Sequence, residues 1–211
     1  ETTPENLAAL IKARQFPDFL LQGNRLDSPP GFQDDLRRLF HARDKTMTGR
    51  ISTYKGDFAG SVEYYKAALA QAPTDGVTKI LLQDALSTLA SVWANNGDQA
   101  RRSGKAQEAV AVYSQALKFD ADAPKAHNGL GLIYFSQGKY SEALKHFDIA
   151  LQQYPKQVQI RYNRTLALLK LNRMAEANRE INAIKQLEAE GSSTFSDQLQ
   201  KIIRSLKGVE K

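Results

Sequence analysis

The chain has no cysteine, one tryptophan, two methionines and three histidines in 211 residues. Without cysteine there is no disulfide, and the redox character of its compartment is left open. No apolar run approaches the roughly 18 residues that signal a membrane span. At 42% apolar and 25% charged, the composition is that of a water-soluble chain, compatible with cytoplasm or periplasm. Charge of one sign is nowhere concentrated. The net +6 is dispersed, with carboxylates between the cations, whereas nucleic-acid binding needs a concentrated basic face. Nucleic acid is therefore a disfavoured partner. The chain opens on Glu1 rather than Met, so a processed or longer parent is expected, with a removed signal or anchor left open.

Catalytic patterns are missing as well. His41, His127 and His146 are isolated in sequence, none with a second histidine or a carboxylate at metal-ligand spacing. His127 reads as a partly buried packing residue. Gly129 and Gly131 fall inside a helical pattern rather than between strand and helix, so they form no phosphate loop. No acid, base and nucleophile are paired, and neither enzymatic activity nor a metal nor a cofactor is expected.

What is present is periodicity. Over residues 125–155, Leu130, Tyr134, Leu144, Phe147 and Leu151 are spaced to fill a seam between two helices. Gly131, Ala143 and Ala150 are small enough to let the axes approach, Gly138 makes a tight turn and Pro155 stops the second helix. These types at these spacings resemble the tetratricopeptide repeat, a unit of about 34 residues in two antiparallel helices. Gly49, Gly56, Phe58, Tyr65, Ala68 and Pro73 repeat the pattern in 42–75. Trp93, Gly97, Gly104, Ala109, Tyr113 and Ala116 repeat it in 90–123. Residues 158–191 match more weakly, with Thr165, Asn172, Ile181 and Ile184 in place of Gly, Gly, Phe and Ala. Asn tolerates left-handed turn geometry, so a turn at Asn172 stands.

Residues 76–89 interrupt the register. Val77, Leu81, Leu82, Ala85, Leu86 and Leu89 nevertheless keep helical spacing into Trp93. An insertion of nearly four turns lengthens a helix without rotating its apolar face, which predicts one long helix from about 78 to 101. At the N-terminus, Thr2, Pro4 and Glu5 open a short helix through Leu7, Leu10 and Ile11. Phe16, Phe19, Leu20 and Leu21 follow as an apolar cluster, Pro29-Pro30-Gly31 breaks the chain, and helix resumes near Phe32. Thr194 caps a last amphipathic helix through Phe195, Leu199, Ile202, Ile203 and Leu206. The expected fold is all-α, a helical-hairpin solenoid of the tetratricopeptide-repeat type. It comprises an N-terminal cap (1–41), an array over 42–191 with the helical insertion 76–89, and a C-terminal capping helix (192–211).

The resemblance also implies a function. Such arrays bind a peptide or partner protein on the concave face formed by the first helix of each repeat. Carried over position by position, the contact residues include Arg101 and Arg102; Lys125, Asn128, Leu132 and Phe135; and Tyr162, Leu166, Leu169 and Lys170. The leucines and Phe135 would form an apolar floor flanked by cations that favour acidic partners, unless a neighbouring helix or the N-terminal cluster covers it. The family's chaperone-tail clamp is not matched, because Ala94, Asp98 and Gly129 stand where it needs Lys, Asn and Asn. A non-catalytic interaction scaffold is the leading expectation, with oligomeric state open. The opening TTPENLAALI, followed by a helical array, also resembles the tail of some bacterial membrane-anchored spermidine-synthase-like proteins. That resemblance implies the alternative of a regulatory or assembly tail.

Overall fold

The computed structural model describes residues 32–188 and 195–206. The N-terminal helix and apolar cluster expected within 1–31 lie outside the described residues. Among those described there are nine α-helices and no strand. They are α1 (Phe32–Tyr54), α2 (Phe58–Gln71), α3 (Gly76–Arg102), α4 (Ala106–Phe119), α5 (Pro124–Ser136), α6 (Tyr140–Gln153), α7 (Val158–Lys170), α8 (Met174–Glu188) and α9 (Phe195–Leu206). The all-α hairpin architecture is thus present, and the long helix expected over 78–101 is α3.

The chain divides into two compact units, with the division between Leu89 and Ala90, inside α3. In the first unit, Asp57 caps α2 by accepting from Gly60 N at 2.9 Å. Asp75 prepares α3 in the same way, accepting from Val77 N at 3.1 Å and from the Thr78 hydroxyl at 2.5 Å. That hydroxyl bond is the main cause holding the Asp75 carboxyl below its usual range. Thr78 is fully buried and meets Thr46 of α1, Oγ1 to Oγ1, at 2.8 Å. Val62, Tyr65 and Ala85 form the core here, with Leu81, Leu82 and Leu86 packed against them. The inserted turns of α3 therefore bury their apolar face on α2. Tyr65 is buried while Tyr64 is 41% exposed, so adjacent rings on one helix serve opposite faces.

The second unit stacks three hairpins and a closing helix. Ala90, Ala94, Ala109, Tyr113, Ala116, Ala126, Leu130 and Ile133 make one core cluster, with Trp93 and Phe119 beside it. Trp93 stacks on Phe119 at 6.4 Å between ring centres. Ala143, Phe147, Ala150, Ile160 and Ala167 make the next. The prevalence of alanine matters, since a seam lined by methyl groups brings helix axes close enough for a few aromatic rings to fill it. At Gly131 even a methyl is too much: a Cβ there would lie 2.5 Å from Phe147 Cε1. The same pairing joins Gly97 to Tyr113 in this unit, and Gly49 to Tyr65 in the first.

Candidate interaction groove

The first helices of the second unit's hairpins, α3 beyond Ala90, α5 and α7, carry every groove residue expected from the sequence. They do not behave alike. Toward the α3 side, Asn95, Asp98, Gln99, Arg102, Ser103 and Lys125 line an open recess of about 410 Å³. Lys125 Nζ donates to Asn95 Oδ1 and lies 3.9 Å from Asp98. Arg101 sits 3.6 Å from the same carboxylate, and the Tyr113 hydroxyl donates to it at 2.6 Å. Asp98 is therefore occupied from three sides. Burial, and then Asp98, hold the Tyr113 phenol well above its ordinary range, so it stays a donor and is no acid–base group at neutral pH. Arg102 is exposed on the rim, with no ion-pair partner among the described residues.

Asn128 stands on α5, one turn after Lys125 and outside the lining of that recess. Its Oδ1 accepts from Asn163 Nδ2 at 3.0 Å, and Asn163 Oδ1 in turn accepts from Gln159 at 3.3 Å. None of the described residues takes the Asn128 Nδ2 hydrogens, which remain available as donors. Asn163, nearly buried at 6% exposure, was not among the residues expected from the sequence. The contact positions carried over from the repeat fall on Tyr162 beside it and pass it by. Leu132 and Phe135 are partly buried against the Phe147 cluster, with the Phe135 ring edge-on to Tyr140 at 5.2 Å.

The α7 end is covered from within. Tyr162 and Leu166 pack against a cluster that contains Leu168, Leu169, Leu199 and Ile203. Phe195 of α9 lies 5.0 Å from the Tyr162 ring, and Leu169 is only 7% exposed. Lys170 is exposed at the end of α7. The start of α9 is fixed by Glu188, whose carboxylate accepts from Phe195 N at 2.7 Å and from Ser196 N. A carboxylate at that position also complements the helix dipole.

The histidines complete the inventory. His41 is exposed on α1, but His127 and His146, isolated in sequence, touch through their Nδ1 atoms at 2.9 Å. Among the described residues no three His, Asp or Glu side chains converge as a metal site. Nor is any described helix long and apolar enough to cross a membrane.

This arrangement is the tetratricopeptide-repeat fold. The model of the tetratricopeptide-repeat family matches residues 95–158 and 133–187. The first repeat domain of Spaghetti (RPAP3), solved with the HSP90 peptide SRMEEVD, superposes with a TM-score of 0.51 at 22% identity. It covers 57% of this chain and 95% of that one. The first such domain of human RPAP3 gives a TM-score of 0.51 at 21% identity, covering 58% and 95%. Photosystem I assembly protein Ycf3 of Prochlorococcus marinus (strain NATL1A) is 30% identical over 107 residues, 49% of this chain and 62% of that protein. Ycf3 of Synechococcus sp. (strain CC9902) is 31% identical over 105 residues, 48% and 61%. The matched region thus spans under two thirds of these relatives.

Proposed function

We propose that the protein is a non-catalytic interaction module that holds an extended segment of a partner protein along the α3–α5 face of its second unit. The observation that carries this is the open recess lined by Arg102 and Lys125, with Asn128 on the next turn of α5. Carboxamides such as Asn95 and Asn128 present a donor and an acceptor side by side, which suits a peptide backbone. Asp98 is already matched by Lys125, Arg101 and Tyr113, so Arg102 leaves the rim net positive and favours acidic side chains in the partner. Leu132 and Phe135 supply the adjoining apolar contact. Tyr162, Leu166 and Leu169 take part only at the edge left by α9. The matched relatives are named for an assembly role, which accords with a scaffold rather than an enzyme.

A peptide library of acidic, neutral and basic extended sequences, read by fluorescence anisotropy, tests the proposal. Acidic peptides are expected to bind best. Asn128→Ala is expected to weaken them about tenfold, or about 1.4 kcal/mol, at any salt concentration. Arg102→Ala should weaken them at low salt and have little effect near about 1 M. Equal binding by wild type and both variants would place the partner elsewhere.

A further inference from the structure

The two histidines that meet belong to different helices of one hairpin. His127 stands on the first turns of α5 and is 5% exposed; His146 stands on α6. Their rings lie 5.2 Å apart at 34°. Besides the 2.9 Å contact between Nδ1 atoms, His127 Nε2 lies 2.9 Å from the Ala121 carbonyl. A carbonyl oxygen only accepts, so Nε2 carries a hydrogen. Neutral His127 then has a bare Nδ1, and His146 must donate to it from its own Nδ1. One carbonyl thereby sets both tautomers.

Protons act on this pair in two unequal steps. A first added proton leaves both Nε2 atoms protonated and one hydrogen shared between the two Nδ1 atoms, so that bond stays intact. A second puts a hydrogen on each Nδ1, which sets two N–H donors against each other across the contact. The surroundings give little relief. Tyr134 of α5 stacks on His146 at 5.3 Å, and Lys139 Nζ already sits 5.8 Å from the centre of the Tyr134 ring. On α7, the other helix packed on α6, Arg161 and Arg164 are paired with Glu180 and Asp148. In the connection that supplies Ala121, Asp120 accepts from Asp122 N at 3.2 Å.

We propose that His127 and His146 form an acid-released latch between α5 and α6, which holds through the first added proton and is forced open by the second. Burial, and then the neighbouring His127, already push His146 below the ordinary histidine range. A histidine depressed in the folded state contributes stability that is full above its unfolded value, roughly 6.5. That contribution is lost as pH falls through the folded value.

Nitrogen-15 NMR of the imidazoles in the full chain tests the latch, with amide hydrogen exchange of α6 followed over the same titration. At neutral pH His127 should appear as the Nε2–H tautomer and His146 as Nδ1–H. As pH falls from neutral the pair should titrate in two coupled steps rather than as two independent imidazoles. The protection of α6 against exchange, with the intrinsic pH dependence of amide exchange divided out, should fall across that second step by up to about tenfold per pH unit, the slope of one proton's linkage. His146→Gln keeps a donor but cannot titrate, and should remove that fall. Should the variant not fold, the wild-type titration decides alone. Two independent single-step titrations, a His146 Nε2–H tautomer at neutral pH, or α6 exchange that ignores the second step would each overturn the proposal.

Discussion

The α5–α6 and α7–α8 hairpins occupy the same unit and the same repeat frame, yet they close their seams by different chemistry. In α5–α6 a glycine receives a ring: Gly131 lies under Phe147, which is fully buried with Ala143 and Ala150 beside it. In α7–α8 the corresponding residues are Thr165 and Ile181, both buried. The Thr165 hydroxyl returns to its own helix, donating to the Arg161 carbonyl at 2.8 Å. A bulkier residue on one helix is thus matched by a smaller one opposite, which keeps the seam filled. The second hairpin adds a charged tie. Glu180 of α8 takes Arg161 at 2.7 Å and Arg164 at 3.1 Å, and Arg164 also reaches Asp148 of α6 at 2.6 Å. A repeat frame therefore prescribes volume shared across the seam, and leaves open which helix supplies it.

The largest effect should come from emptying the aromatic seam. Phe147→Ala is expected to cost about 3–5 kcal/mol in denaturant unfolding followed by far-UV circular dichroism. Exchanging the two solutions sharpens the comparison. Gly131→Thr alone should cost about 1–3 kcal/mol or more through overpacking. Adding Phe147→Ile should return part of that, with a coupling of about 0.5–3 kcal/mol. Additive losses would mean that the two positions do not share one volume.

Next is the charged tie peculiar to the later hairpin. Glu180→Gln leaves Arg161 without its carboxylate and Arg164 with Asp148 alone. The groups are mostly buried, with side-chain exposures of 15% for Glu180, 21% for Arg161 and 18% for Arg164. A loss of about 1–3 kcal/mol is expected from the same unfolding measurement. A neutral outcome would show that Thr165 and Ile181 close the seam without help.

The hairpins were legible in the sequence because small residues, rings and turns recur at fixed offsets, and those local rules set backbone geometry. The long α3 was legible for the same reason: Leu81, Leu82, Ala85 and Leu86 keep one face through the insertion. The groove was legible only as a set of positions. That Asp98 is surrounded by Lys125, Arg101 and Tyr113 depends on rotamers of residues 3 to 27 positions away, which no periodicity encodes. The cover placed by α9 over Tyr162 was open as an alternative, and its choice rests on long-range packing. The meeting of His127 and His146, 19 residues apart, follows from hairpin pairing rather than from a motif spacing.

The turns give the mildest contrast between the two hairpins. Gly138 joins α5 to α6 at φ +76°, and Asn172 joins α7 to α8 at φ +57°. Both are left-handed, where a Cβ ordinarily clashes with the following carbonyl. Gly138 has nothing within 4 Å of where a Cβ would stand, so a side chain there meets only backbone strain. Gly138→Ala should therefore cost about 1 kcal/mol, because alanine gains no compensating bond in that conformation. Gly138→Asn should cost less, a few tenths of a kcal/mol at most, since asparagine's short amide bonds locally and tolerates the region. Asn172→Gly should be close to neutral, as relief of strain is offset by the greater freedom of glycine in the unfolded chain. If Gly138→Asn instead costs as much as Gly138→Ala, then the turn of the later hairpin is held by its packed helices rather than by its own residue.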